Sequence, residues 1–288
     1  MNQINNPFIT PKYLANHLND EDIKIIDASW YLPNMARNAH KEYLQKHIPN
    51  AVYFNLDKIA DRTSNLPHMI ASEEQFSRQV GEMGISHKNR IVIYDNVGIF
   101  SSARVWWNFR IMGAKNVYIL AGGLTRWEEE GFEMQGGNIG IKPNTFEAKL
   151  QSEYIYTAFK ITKLLKNETN QVQIVDMRPR DRFMGEADEP RIGLRRGHIP
   201  YSKNLPFADL IENGEIISKE AFFTRLKEAE INPNKPIVST CGSGVTATIL
   251  NLALATHGID NMAVYDGSWA QWGSLQGVPI VNPANKKA

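Results

Sequence analysis

The 288-residue chain has almost no cysteine: Cys241 is the single one. An intrachain disulfide is therefore excluded, and a lone thiol that is to stay useful must stay reduced, which points to a reducing cytoplasm rather than secretion. No run approaches the roughly 18 apolar residues of a membrane span. Met1 to Pro7 has neither the basic-then-apolar build of a secretory leader nor an arginine-rich amphipathic pattern, so a soluble, cytoplasmic protein is expected. An excess of one charge is missing too. The 32 basic residues offset 31 acidic ones for a net of +1, which draws the whole chain to neither nucleic acid nor an anionic membrane. The seven histidines are scattered without a close ligand pair, so no metal site is indicated. Small molecules and other proteins remain as partners. Hydrophobic residues make up 42% of the chain, enough for two ordinary domains without metal or disulfide staples.

What is present is an alternation of short apolar runs with helical patterns. Thr10-Pro11 is a capping hydroxyl before a proline, predicting a short helix over Tyr13 to Leu18. Lys24 to Ala28 reads as a strand, and His47 to Val52 as a turn into another. Asn55 to His68 is polar and proline-broken, hence a surface excursion. Ser72-Glu73-Glu74-Gln75 fits a capping box for a helix to about Met83, with Gly84 at its C-terminal cap. A strand over Arg90 to Asp95, an amphipathic helix over Ser101 to Met112, a strand over Val117 to Leu120 and a helix over Leu124 to Glu130 follow.

The second half repeats this order. Gln173 to Asp176 answers Lys24 to Asp27, and Gly197 to Ser202 answers His47 to Ala51. Ile237 to Cys241 falls on Ile91 to Asp95 at an offset of 146, and Gly267 to Trp272 on Gly122 to Trp127 at an offset of 145. A period this long means tandem globular domains, because solenoid repeats run at roughly 20 to 50 residues. The Gly/Asn/Pro-rich stretch from Gly136 to Asn144 opens the linker. Strands alternating with helices imply an α/β fold, with a mostly parallel sheet covered on both faces in each domain.

The single cysteine sits where chemistry is expected. Cys241-Gly242-Ser243-Gly244-Val245-Thr246-Ala247 follows the apolar run Pro236-Ile237-Val238 and leads into a helical pattern at Val245, Ile249, Leu252 and Leu254. Two glycines free the loop for consecutive N–H groups to point at one centre, and a helix N-terminus adds its positive dipole. Such a setting favours the nucleophilic thiolate, whereas a cysteine lost in a core is inert. In the first half, Asp95-Asn96-Val97-Gly98-Ile99-Phe100 occupies the same place. A carboxylate cannot carry a transferable sulfur, and with one glycine that loop is expected to gather fewer amides.

These residues carry a resemblance. The loop Cys241 to Thr246 matches the pattern Cys-Gly-Ser/Thr-Gly-Val-Thr of the two-domain rhodanese-like sulfurtransferases that act on 3-mercaptopyruvate. Asp176-Met177-Arg178, Arg182-Phe183, Glu189-Pro190-Arg191, Gly197-His198-Ile199-Pro200 and Tyr265-Asp266-Gly267-Ser268-Trp269 extend the likeness over nearly the whole chain. It implies two tandem rhodanese-like domains: residues 7–135 without the catalytic cysteine, a linker over 136–156, and a catalytic domain over 157–288. It also implies a Cys241 persulfide, release of pyruvate, and a thiol such as thioredoxin, or cyanide, as acceptor. No cofactor is implied. Ser243, His68 and Asp57 match the family's catalytic grouping, which would make the centre span both domains. Arg182 and Arg191 match the arginines that grip the substrate, with Gly242, Gly244, Val245 and Thr246 completing the binding loop. The thiosulfate-preferring branch resembles Cys-Arg-Lys-Gly-Val-Thr, whose cations suit a dianion; Gly242 and Ser243 stand at those positions here.

Other readings are weighed on the same residues. Taken alone, the run of arginines and acids from Arg178 to Arg196 reads as a solvated surface. His198, before Ile199-Pro200, reads as a turn residue. A cysteine-dependent phosphatase needs an arginine closing the loop six residues after the cysteine, where this chain has Ala247. A dinucleotide fingerprint would have its third glycine at the same alanine, sits too late in the chain, and lacks an acidic residue about 20 positions on at a strand end. A persulfide relay or binding module without small-molecule turnover has no need of Arg182 and Arg191.

Overall fold

The computed structural model describes residues 6–166 and 171–286. The chain forms two compact units. One comprises the chain through Arg62, Ile70–Gln151 and Glu212–Glu215; the other comprises Thr63–Met69, Ser152–Ile211 and the chain from Ile216 onward. The residues from Thr63 to Met69, all but the last within the stretch read as an excursion of the first half, thus pack with the second.

The first unit contains β1 (Phe8–Ile9), α1 (Pro11–Asn16), β2 (Ile23–Asp27), α2 (Ala39–Gln45), β3 (Val52–Tyr53), α3 (Glu73–Glu82), β4 (Arg90–Tyr94), α4 (Ser102–Ile111), β5 (Val117–Leu120) and α5 (Gly123–Glu129). Its five strands pair in the order β1-β5-β4-β2-β3, all parallel. Then come β6 (Ile155–Tyr156), α6 (Ala158–Leu165), β7 (Gln173–Asp176), α7 (Arg180–Met184), β8 (Lys203–Asn204) and a short ribbon of β9 (Ile211–Glu212) with β10 (Glu215–Ile216). The chain continues with α8 (Lys219–Glu228), β11 (Ile237–Thr240), α9 (Ala247–Thr256), β12 (Met262–Tyr265) and α10 (Ser268–Trp272). The second sheet pairs in the order β6-β12-β11-β7-β8, again all parallel. Matching β1 to β6, β2 to β7, β3 to β8, β4 to β11 and β5 to β12 makes the two orders identical, so the sequence repeat is a repeat of topology.

The repeat extends to single side chains. Trp127 and Trp272 are both fully buried, and their indole N–H groups donate to the carbonyls of Glu133 and Pro279 at 2.9 and 3.0 Å. Each anchors an apolar cluster on one face of its sheet, with Leu14, Ile25 and Val92 in the first unit and Ile161, Ile174 and Val238 in the second. His47 stacks on Tyr43 and approaches its carbonyl with Nδ1 at 2.7 Å; His198 does the same with Phe183, also at 2.7 Å. Burial holds the His198 imidazole below its ordinary range, as befits a packed, neutral ring.

Local chemistry sets the helix starts. Thr10 Oγ1 accepts from the Tyr13 amide, and Pro11 takes the first position, so α1 begins two residues earlier than expected. Ser72 accepts from Gln75 and caps α3 where the sequence predicts, but the Gln75 side chain donates to the Ala60 carbonyl at 2.6 Å instead of closing the capping box. Helix α2 was not foreseen: within a polar stretch, Asn38 caps it by accepting from Lys41, and only Ala39 and Tyr43 are buried. Two expectations are corrected. Helix α4 is buried along its whole length and has no solvent stripe, so Asn108 and Arg110 lie inside, the latter donating to the Lys115 carbonyl at 3.1 Å. The stretch from Asn55 to His68 has irregular backbone as expected, yet it buries Leu56, Ile59, Ala60 and His68. Among the described residues no helix is long and apolar enough to cross a membrane.

Candidate active site

Parallel strands gather functional loops at their carboxyl ends, and Cys241 directly follows β11 in the centre of the second sheet. Thr246 occupies the cap position and α9 starts at Ala247, so Cys241 to Val245 form a true loop. Gly244 takes the left-handed φ of +76°, which a side chain would strain, and this turns the loop toward the helix. At Gly242 an added Cβ would meet nothing within 4 Å, so that glycine leaves open space beside the cysteine. Cys241 itself is 2% exposed, and Ser243 and Val245 are buried.

The loop is held from below by the start of α10. The Trp269 amide donates to the Cys241 carbonyl at 2.9 Å, and the Ala270 amide to the Gly242 carbonyl at 2.8 Å. The Cys241 amide does not join an inward-pointing set; it donates to Ser268 Oγ at 3.2 Å. No feature of the sequence pattern separates that serine from an ordinary helix-start residue.

His68 is 5% exposed and its Nδ1 lies 3.2 Å from Ser243 Oγ. Its backbone is left-handed, with φ +58°, a conformation that histidine adopts more readily than most non-glycine residues. The structure therefore brings together two of the expected catalytic residues, 175 positions apart in the chain. Asp57 belongs to the first unit, where both of its carboxylate oxygens accept from Trp30 Nε1 at 3.1 Å.

Arg182 lies on α7, its side chain 20% exposed, with Nη1 3.4 Å from Glu189 Oε2. The same buried Glu189 accepts from Arg178 Nη1 at 2.7 Å. Arg178 is fully buried, stacked 4.1 Å over the Trp269 ring, and paired with Asp176 at 2.6 Å and with the Gly197 carbonyl at 2.8 Å. This member of the arginine run is thus no solvated residue: Asp176, Arg178 and Glu189 form a buried ionic frame from which Arg182 emerges. Arg191 is half-buried in the turn after Glu189. The sequence shows Glu189 as one acid among four in a charged run and as part of the Glu189-Pro190-Arg191 motif, but gives no sign that it bridges two arginines. Among the described residues no three or more His, Cys, Asp or Glu side chains are grouped to hold a metal ion.

The loop after β4 gives the internal comparison, and it overturns the expectation of few converging amides. The amides of Val97, Phe100 and Ser102 donate to the Asp95 carboxylate at 3.0, 2.8 and 2.9 Å. Burial raises this carboxyl, and the three amides pull the other way. The first loop keeps a cradle, but its own side chain fills it.

Comparisons with known proteins agree with this geometry. The rhodanese-like domain family matches residues 10–130 and 160–275. The chain is 38% identical to the 3-mercaptopyruvate sulfurtransferase of Escherichia coli over 274 residues, 95% of this chain and 97% of that protein. It is 38% identical to the Homo sapiens 3-mercaptopyruvate sulfurtransferase over 88% of this chain and 85% of the human one. An Arabidopsis thaliana relative described as a mitochondrial thiosulfate/3-mercaptopyruvate sulfurtransferase is 38% identical over 95% of this chain and 78% of its own length. The crystal structure of SseA from Escherichia coli superposes with a TM-score of 0.85 at 36% identity, covering 92% of this chain and 99% of SseA. With two matching domains, identical sheet orders and a cysteine loop at the end of the second central strand, this chain belongs to the two-domain rhodanese-like sulfurtransferases, enzymes of the 3-mercaptopyruvate sulfurtransferase group.

Proposed function

We propose that the enzyme takes the sulfur of 3-mercaptopyruvate onto Cys241 and hands it to a thiol or cyanide acceptor. The observation that carries this reading is the Cys241 loop, anchored by α10 and open at Gly242. In the first half-reaction the Cys241 thiolate attacks the substrate sulfur. A sulfur–sulfur bond forms, the carbon–sulfur bond breaks, and its electron pair leaves with the three-carbon fragment as the enolate of pyruvate. One proton delivered to carbon completes pyruvate, leaving a Cys241 persulfide. In the second, an acceptor thiolate or cyanide attacks the outer sulfur and returns Cys241 as a thiolate.

The remaining residues suit roles in that sequence. A guanidinium offers paired planar donors to a carboxylate and stays charged at working pH, so Arg182 and Arg191 hold the substrate's carboxylate and keto oxygen. Charge on that oxygen grows as the enolate leaves, and a fixed cation or hydroxyl there lowers the barrier. Ser243 and His68, in hydrogen-bond reach of each other, are the pair that relays the proton. Gly244, Val245 and Thr246 shape the loop. Thioredoxin fits as a protein acceptor, and a reducing cytoplasm suits a single working thiol.

The uncharged Gly242 and Ser243 favour a donor whose carboxylate lies away from its sulfur. Thiosulfate is the second reading, favoured by the doubly named Arabidopsis relative. One set of assays decides. With 3-mercaptopyruvate, pyruvate should be released and Cys241 should gain one sulfur by mass, and Cys241→Ser should lose both signals. Pyruvate release undiminished in Cys241→Ser would remove the cysteine from the reaction, and thiosulfate outperforming 3-mercaptopyruvate by a large margin would reverse the choice of donor.

A further inference from the structure

The residue that meets the central loop from the start of the last helix differs between the two units. In the first it is Gly123, with φ +59°, and a Cβ there would stand 2.7 Å from the Asp95 carbonyl oxygen. Glycine is required. The second unit carries Ser268 at the matching position, 145 residues on, also left-handed at φ +48° and fully buried. Serine is strained in this region where glycine is not.

The backbone pairing is shared. The Leu124 amide donates to the Asp95 carbonyl at 3.2 Å just as the Trp269 amide donates to the Cys241 carbonyl at 2.9 Å. What the serine adds is its hydroxyl: Oγ accepts the Cys241 amide hydrogen at 3.2 Å and donates to the Tyr265 carbonyl at 2.8 Å. Ser268 therefore ties the end of β12 to the residue after β11, and both peptide planes flanking Cys241 are held.

We infer that Ser268 is a positioning residue for sulfur transfer, whose hydroxyl fixes the direction in which Cys241 Sγ leaves the backbone. The inference rests on Cys241 being the sulfur-accepting nucleophile. A strained serine persists here because a glycine would make the turn and lose the clamp. Small displacements of a reacting atom are costly in rate, so loosening the clamp should act on the chemical step rather than on substrate binding.

Ser268→Gly removes the hydroxyl and relieves the backbone; Ser268→Ala removes the hydroxyl and keeps the Cβ. For both we expect kcat for pyruvate release from 3-mercaptopyruvate to fall about tenfold or more, with KM within about twofold of the unchanged protein. Alkylation by iodoacetamide, which can report only on the single cysteine, should slow in parallel across the pH range tested. Both variants leave the Cys241 amide and the Tyr265 carbonyl without the hydroxyl and should lower the thermal midpoint, Ser268→Gly by no more than Ser268→Ala because the glycine relieves the backbone. Ser268→Gly with kcat and alkylation unchanged would overturn the inference. So would kcat and KM drifting together in both variants, because that marks general loss of packing. Cys241→Ala serves as the separate control: pyruvate release surviving in it would sink the nucleophile reading, whereas a Cys241-dependent enzyme indifferent to Ser268→Gly sinks only the positioning role.

Discussion

His68 Nδ1 and Ser243 Oγ lie 3.2 Å apart, both side chains buried, with the histidine backbone held in the left-handed region. Two groups that work as one unit lose most of their joint effect when either is removed. Ser243→Ala and His68→Asn, the latter chosen because asparagine tolerates positive φ, should each lower kcat for pyruvate release by about one to two orders of magnitude. The double variant should be little worse than the worse single one. Fully multiplicative losses in that cycle would show that the two residues act independently.

Arg182 is tied to Glu189 on one side, and Arg191 sits in the following turn. If both hold the carboxylate end of the donor, Arg182→Met and Arg191→Gly should raise KM for 3-mercaptopyruvate by about tenfold or more, since charged hydrogen bonds contribute about 1.5–3 kcal/mol each. Thiosulfate, which has no carboxylate, should be affected less. Steady-state kinetics with both donors read the contrast, and equal losses on the two donors would remove the carboxylate grip.

The repeat was legible in the sequence because it rests on residues that serve the same physical purpose twice. Trp127 and Trp272 fill the same place in two cores, and His47 and His198 close the same turn. The cysteine loop was legible because a lone thiol between a strand and a helix, flanked by glycines, has few other uses. Helix α2 was hidden because it buries only Ala39 and Tyr43, with Leu44 half-buried, and the rest of it is polar. Strands β1 and β6 are two residues long and carry no alternation to detect. The Ser268 clamp, the Glu189 bridge and the His68–Ser243 contact link residues 27, 7 and 175 positions apart. Such pairings are set by sheet order and loop course, which no local pattern encodes. Family resemblance supplied His68 and Ser243, but not their contact.

Asp95 carries three amides on one buried carboxylate. Removing it leaves those donors without their acceptor, each at about 1–3 kcal/mol of desolvation. Relief of the buried Asp95 charge offsets part of that cost, so Asp95→Ala should destabilise the first unit by about 2–5 kcal/mol, read as an earlier denaturant midpoint in fluorescence from Trp106, Trp107 and Trp127. Asp95→Asn, which keeps one acceptor oxygen, should lose less. An unchanged midpoint for Asp95→Ala would mean that water replaces the carboxylate without loss.

Asp27 is the matching residue of Asp176, but where Asp176 has Arg178, Asp27 has only uncharged donors. Its carboxyl accepts from the Ser29 amide at 2.8 Å and faces the buried Asp95 and the phenols of Tyr43, Tyr53 and Tyr94. Burial is the main cause that lifts it from the ordinary 3.8 to about 6, with the Ser29 contacts pulling down. Between those two values the folded protein holds a proton that the unfolded chain has released. Stability attributable to Asp27 is therefore complete below pH 3.8, falls as pH rises to about 6, and stays lost above. A displacement of about two units corresponds to about 3 kcal/mol at most. Asp27→Asn keeps the acceptor for Ser29 and removes the charge, so it should be more stable than the unchanged protein at pH 7.5. That advantage should shrink toward zero as the pH is lowered to 4. Urea denaturation of both proteins at several pH values measures the difference, and an advantage that did not vary with pH would assign the effect to packing instead of ionisation.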